Sequence, residues 1–195
     1  MSKKAVIIIV NWNGKKYLEN CLSSVFKQTY KNFDVYFVDN GSVDGSSDYV
    51  RKNFKKVKII QLDKNYGFAK GNNEGIKEAF KDKKVEYIVC LNNDTIVDKN
   101  WLKELVKTAE KDEKIGMVSS KAFFKDGKIQ NAGLIFSKAL QINKEGGISF
   151  GYGEEDKGIY KRETEIFAPG GVASLYKRKM LEEIGLFDED YFAYA

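Results

Sequence analysis

At 195 residues, with 43% hydrophobic and 31% charged side chains, the chain has the length and composition of one globular domain with a proper core. Its net charge of +5 is spread over many lysines and glutamates; it tolerates an anionic substrate or membrane surface, and no basic block of nucleic-acid type is present. There is no histidine, so a general base near neutral pH must be a carboxylate or, failing that, a Lys, Cys or Tyr.

Met-Ser-Lys-Lys leads into only six apolar residues before Asn11, too few for a spanning segment or a secretory leader, which points to the cytoplasm. Ala5 to Val10 is a β-branched run and reads as a first buried strand, ending in Asn11-Trp12-Asn13-Gly14. Tyr17, Leu18, Cys21, Leu22, Val25 and Phe26 then fall on one helical face. Phe33 to Val38 is a second strand, followed by Asp39-Asn40-Gly41-Ser42, with Asp44 and Ser46 as candidate caps for a helix to about Phe54. Val57 to Leu62 is a third strand. Asn65-Tyr66-Gly67-Phe68 opens a third helix, carried on by Ile76, Ala79 and Phe80.

The fourth strand, Tyr87 to Leu91, reads as buried on both faces and stops abruptly at Asn92-Asn93-Asp94-Thr95. Open α/β sheets present ligand sites in this way, at the carboxyl ends of strands. Asp94 offers a hard oxygen ligand for Mg²⁺ or Mn²⁺; read alone, the same four residues are more often just the N-cap of the next helix. Trp101, Leu102, Leu105, Val106 and Ala109 give that helix its apolar stripe. Four strand–helix alternations in the first 110 or so residues predict parallel strands with helices on both faces. Cys21 and Cys90 sit in apolar patterns and read as inert core residues, with no disulfide or zinc pattern.

Beyond residue 112 the pattern changes. Ile115 to Val118 reads as a short strand, Ala122 to Leu134 as a hairpin turning at Asp126-Gly127, and 137–163 as a Gly- and Lys-rich mobile loop beside the site. Ala168-Pro169-Gly170-Gly171 leads into a strand from Val172 to Tyr176. A helix from about Lys179 to Ile184 stops at Gly185, before Asp188-Glu189-Asp190.

Taken together these segments resemble the family 2 glycosyltransferases of GT-A fold. The resemblance rests on Asn11-Trp12-Asn13, Val38-Asp39-Asn40-Gly41-Ser42-x-Asp44-Gly45, Asn65-Tyr66-Gly67-Phe68-Ala69-x-Gly71-Asn72-Asn73-x-Gly75, Leu91-Asn92-Asn93-Asp94, and Gly170-Gly171 before Asp188-Glu189-Asp190, in the family's order. The Asn-Asn-Asp form is a variant of the family's Asp-x-Asp motif, met among enzymes of surface-polysaccharide synthesis, rhamnosyltransferases included. It implies a single catalytic domain over 1–195, with a nucleotide-sugar-binding half (1–112) and an acceptor-side half (113–195) that is incomplete.

The resemblance also implies the chemistry: inverting transfer from a UDP- or dTDP-sugar to a hydroxyl of a carbohydrate or lipid-linked acceptor, at the inner face of a membrane if peripherally attached. It assigns a divalent cation to Asp94, the sugar and ribose to Asn92 and Asn93, and the ring N–H of the base to Asp39, for which capping the turn before Gly41 is the competing reading. Val10 and Trp12 would contribute to the base pocket, with Trp12 as a plain core aromatic the competing reading; Asn11, Asn13, Asn40, Asp44 and Asn73 complete the donor site. Gly67 and Gly71 would let the backbone approach the donor, and Lys70 would meet a phosphate; helix packing and a solvated lysine are the alternatives. Relatives carry an acidic pair a few residues after the aromatic stretch that here reads Tyr191-Phe192-Ala193-Tyr194. Either Glu189 or Asp190 is the catalytic base, or the base lies beyond Ala195 and the domain is truncated, which is the favoured expectation. The alternatives are a nucleotide-sugar-binding module without activity, and a sugar nucleotidyltransferase, which the single glycine of Asn11-Trp12-Asn13-Gly14-Lys15-Lys16 disfavours.

Overall fold

The computed structural model describes residues 2–135, 148–158, 160 and 162–193. In chain order the elements are β1 (Lys4–Asn11), α1 (Lys15–Phe26), β2 (Phe33–Asn40), α2 (Ser46–Asn53), β3 (Val57–Leu62), α3 (Gly67–Ala79), β4 (Val85–Asn92) and α4 (Trp101–Ala109). There follow β5 (Met117–Ser119), β6 (Ala122–Phe123), β7 (Ile129–Asn131), β8 (Leu134–Ile135), β9 (Ile148–Ser149), β10 (Ala173–Lys177) and α5 (Arg178–Ile184).

Six strands form one sheet in the order β3-β2-β1-β4-β10-β5. The first four are parallel, as the alternating pattern predicts, and β10 runs antiparallel between β4 and β5. The fold is therefore the expected mixed α/β arrangement with a mostly parallel sheet. The strand order reverses between β1 and β4, the place where open α/β sheets leave a crevice at their carboxyl ends.

Side-chain parity divides the core. Ala5, Ile7 and Ile9 of β1 face α1, α2 and α4 through Leu18, Cys21, Leu22, Val25, Val50, Leu102 and Val106. Val6 and Ile8 point the other way, toward Ile76 and Ala79 of α3 and Leu181 of α5. Because both faces of β1 and β4 are covered, their sequences are continuous apolar runs and not alternating ones. The two cysteines lie one on each side of the sheet, and burial pushes each thiol up to about 12, with Asp94 a lesser cause at Cys21. They are inert core residues, as the pattern predicts.

The part of the chain beyond residue 112 corrects several boundaries. The short strand expected from Ile115 begins at Met117. The hairpin expected to run to Leu134 ends at Asn131, and Leu134 starts a separate ladder with β9. Of the segment expected as a mobile loop, 137–147, 159 and 161 lie outside the described residues, but Ile148 and Ser149 are paired in β9. Such two- and three-residue strands are set by tertiary pairing, since they are too short to carry a period of their own. Among the described residues no helix is long and apolar enough to cross a membrane.

Candidate functional site

β1, β2 and β4 each end on an asparagine, namely Asn11, Asn40 and Asn92. From these ends a chain of polar contacts crosses the carboxyl edge of the sheet. Asn93 donates through Nδ2 to Asn11 Oδ1 (2.7 Å), and Asn11 donates through Nδ2 to Ser42 Oγ (3.0 Å). The Ser42 backbone N–H donates to Asp39 Oδ1 (3.0 Å), while Asp39 Oδ2 accepts from the Ser47 hydroxyl and from Gln61 Nε2 (3.3 Å). Asn11 and Asp39 are buried, so this network satisfies polar groups that water does not reach. The first contact bridges the ends of β1 and β4, and Gly14 makes room for it: a Cβ there would stand 2.2 Å from Asn93 Nδ2 and 2.6 Å from Asn11 Oδ1.

The loop after β1 is held by the loop after β2. Asn13 adopts φ 51°, a left-handed conformation that asparagine tolerates better than most residues; its N–H donates to Ser42 Oγ and its Oδ1 accepts from Val43 N–H. Asp44 Oδ2 accepts from Lys15 N–H (2.9 Å) and Oδ1 from Ser46 N–H (3.0 Å). It thus supplies the first turn of α1 with the cap that Gly14 lacks and caps its own helix α2. Burial opposes ionisation of Asp44, but hydrogen bonds from the Ser46 hydroxyl and from these N–H groups outweigh it and hold the carboxyl below its ordinary range. Trp12 is 57% exposed at the mouth of the crevice, which removes it from the core. Val10 is half-buried against α3.

The β3–α3 turn is fixed by Asn40, whose Nδ2 donates to Asn65 Oδ1 and to the Gly67 carbonyl while its Oδ1 accepts from Tyr66 N–H. The glycines of this segment are closely packed. A Cβ on Gly71 would lie 2.7 Å from Val10 Cγ1, so this glycine lets α3 pack directly on β1. Gly67, at φ +84°, faces Phe192, whose carbonyl accepts the Phe68 N–H at 2.7 Å. The N-terminus of α3 is covered by this chain's own C-terminal segment.

Asn73 is likewise engaged by that segment: Nδ2 donates to the Phe187 carbonyl (2.8 Å) and to Glu189 Oε1 (3.0 Å), and Oδ1 accepts from Phe187 N–H. Lys70 lies over the Tyr66 ring and 3.8 Å from Glu189. The Asn73 amide, with Lys77 and Lys70 beside it, holds the Glu189 carboxyl below the ordinary glutamate range, which makes it a poor base. Asp190 is exposed, and its carboxylate makes no hydrogen bond or ion pair among the described residues.

Asp94 is also exposed, just past Asn92 and Asn93, and no group of three or more potential metal ligands of the His, Cys, Asp or Glu type exists among the described residues. One carboxylate beside neutral amides fits Mg²⁺ or Mn²⁺ held jointly with a substrate's phosphates, and does not fit an all-protein cage. The structure thus brings Asn11, Asn13, Asp39, Asn93 and Asp94 to one edge with Trp12. It sets Asn40, Asp44, Gly67 and Asn73 to organising the loops around them. Sequence reading missed Ser42, Ser47 and Gln61 as partners of Asp39; Gln61 carries no local signal, since only the Asp39–Gln61 register of β2 and β3 brings the two together.

The sequence pattern of the family described as "Glycosyl transferase family 2" matches residues 6–185. A poly-beta-1,6-N-acetyl-D-glucosamine synthase of Staphylococcus epidermidis is 27% identical over 190 residues, covering 94% of this chain and 42% of the relative. The chain therefore spans about two-fifths of the length of that curated relative. Among solved structures, a mannosyltransferase of Pyrobaculum calidifontis in complex with GDP-Man and Mn²⁺ superposes with a TM-score of 0.69 at 18% identity, covering 100% of this chain and 50% of that one. S. aureus TarS 1-349 in complex with UDP gives 0.65 at 18% identity, covering 97% and 52%. At such identities these two likenesses speak for the fold alone.

Proposed function

The chain belongs to glycosyl transferase family 2, and from that premise we propose that it binds a UDP- or dTDP-sugar in the crevice between β1 and β4 and directs inverting transfer to an acceptor hydroxyl. The observation that carries this reading is the exposed Asp94 carboxylate beside the Asn93–Asn11 contact at the point where the strand order reverses.

A bound divalent cation supplies charge stabilisation to the departing diphosphate. This chain's own part is to hold that cation through Asp94, with phosphates completing the coordination, and binding without nucleotide is accordingly weak. Asn92 and Asn93 lie toward the sugar and ribose. Trp12 offers its exposed face to the base, and the imide N–H of uracil or thymine reaches Asp39 by displacing Gln61, the longest of that carboxylate's three hydrogen bonds. An acceptor hydroxyl must lose its proton to a carboxylate. Of the two candidates here, Asp190 is the better because Glu189 is engaged with Asn73 and lysines.

Calorimetry with UDP, dTDP, GDP and CDP, in Mn²⁺ and then in chelator, tests the reading. The expected result is metal-dependent binding confined to UDP or dTDP. Asp94→Ala should abolish it while changing unfolding free energy by no more than about 0.5 kcal/mol, as for an exposed loop substitution. Mn²⁺-dependent affinity retained in Asp94→Ala overturns the site. Binding without transfer leaves a donor-binding module.

A further inference from the structure

We propose that the buried Gln28 amide, together with the Ser24 hydroxyl, is the clamp that sets the position of the Asp94 carboxylate; this rests on the reading of Asp94 as a cation ligand. Asp94 lies in the connection between β4 and α4, residues 93–100, an exposed segment whose Ile96 is 69% exposed. Its local hydrogen bonds are few and short in range: Thr95 N–H to the Asn92 carbonyl, Asn100 N–H to Asp98 Oδ1, and Trp101 N–H to the Asp98 carbonyl. These do not fix the segment relative to the sheet.

Its near end is tied to β1 by the Asn93–Asn11 hydrogen bond (2.7 Å), and what fixes its far end comes from the last turn of α1 and the turn beyond. Ser24 Oγ accepts from Val97 N–H (3.1 Å) and donates to the Cys21 carbonyl (2.8 Å). Gln28, 0% exposed, donates through Nε2 to the Asp98 carbonyl (2.7 Å) and accepts at Oε1 from Leu102 N–H (2.9 Å), so one amide joins the end of the loop to the first turn of α4. Thr29 adds its N–H to the Lys99 carbonyl (2.8 Å) and its hydroxyl to Asn100 Oδ1 (3.0 Å). Upstream, Asn92 N–H donates to the Val172 carbonyl (2.9 Å), and the Cys21 thiol lies 3.7 Å from the Asn92 carbonyl.

Asn93, held by Asn11, and Val97, held by Ser24, are therefore both fixed points; only Asp94 to Ile96 lies between them, and Gln28 holds Asp98 and Leu102 just beyond. So short a span leaves the Asp94 Cα little freedom. The reference frame is α1, itself anchored in the core by Leu18, Cys21, Leu22 and Val25. Gln28 and Ser24 are positioning residues in this scheme: they touch neither donor nor cation. A precedent in kind is the outer-shell partner of a metal ligand, whose loss costs roughly 10–100-fold in metal affinity.

Gln28→Met keeps the length of the side chain and removes both polar ends; Ser24→Ala removes the hydroxyl, and Ser24→Thr restores it. For each variant, UDP affinity is measured by calorimetry in Mn²⁺ and in chelator, and amide hydrogen exchange is followed over residues 93–102. Gln28→Met and Ser24→Ala should each lower Mn²⁺-dependent affinity about tenfold, leave metal-free affinity unchanged, and speed exchange at Val97 or Leu102 but not in β1. Ser24→Thr should behave as the unaltered chain. Unchanged Mn²⁺-dependent affinity in both variants, or equal losses with and without metal, overturns the proposal. Should Gln28→Met fail to fold, Ser24→Ala against Ser24→Thr decides it. If the unaltered chain binds no Mn²⁺ and UDP, the functional reading and the cation role of Asp94 fail together, and exchange at Val97 and Leu102 judges the clamp alone.

Discussion

Asn11 shows at the level of one residue why this edge of the sheet is polar yet ordered. Its side chain is buried, its oxygen takes the Asn93 amide and its nitrogen reaches Ser42. Leaving any of these groups unpaired would cost about 1–3 kcal/mol. Gly14 is the sharpest test, because the helix start it occupies has no need of glycine on backbone grounds: its φ is −106°. The requirement is the space taken by Asn93 and Asn11. Gly14→Ala should therefore push Asn93 away from Asn11 and destabilise the fold by about 1–3 kcal/mol, the range for overpacking a filled site. Urea denaturation measures the loss, and an unchanged midpoint would show that the contact is dispensable.

At the scale of elements, α3 owes its place to the absence of side chains. Gly71 and Gly75 face β1, and a Cβ on Gly75 would lie 2.6 Å from Ile8 Cγ2 and 3.1 Å from its Cδ1. The methyl group would meet a β-branched side chain already enclosed by the core, and relief requires α3 to rise off the sheet. Alanine restores about 1 kcal/mol of helix propensity, against an overpacking cost of about 1–3 kcal/mol. Gly75→Ala should on balance be destabilising by about 1 kcal/mol, read from chemical denaturation. A gain in stability would mean that the helix has slack. The helix N-terminus carries the other consequence: Phe68 N–H, in its first turn, is taken by the Phe192 carbonyl.

For the whole molecule, the main event is the return of the C-terminal part to the first half. β10 enters the sheet beside β4, and Arg178, buried at the start of α5, donates to the carbonyls of Asp82 and Phe80 beyond the end of α3. Residues 187–192 then lie along α3 through Asn73, Glu189 and Phe192. The Glu189 carboxyl, held below its ordinary range first by the Asn73 amide, binds this segment in its charged form. A lowered folded-state pKa gives stability that is present above the unfolded glutamate value and lost as pH falls through the folded one. Acidification through and below the glutamate range should therefore release the segment, seen as faster amide exchange at Phe187 and Phe68, and Glu189→Gln should flatten that dependence. Equal acid sensitivity in Glu189→Gln would place the transition on other carboxylates.

The sequence by itself determined the parts whose order is local and periodic. Uninterrupted apolar runs marked β1 and β4 as covered on both faces, the 3.6-residue stripes marked α1 and α4, and their alternation fixed a parallel sheet with its polar residues at one edge. The motifs likewise put Asn11, Asp39, Asn93 and Asp94 near one another through their shared position at strand ends. Tertiary structure alone decided which partners those groups find. Asn11 and Asn93 are 82 positions apart, Asp39 and Gln61 meet by strand register, and Gln28 reaches a loop 70 residues onward. A hydrogen bond formed over such separations leaves no periodic trace, because it depends on how finished elements pack and not on the conformational preference of either segment. For the same reason the partners that Asp44, Asn73 and Glu189 find in the folded chain cannot be read from the segments that carry them.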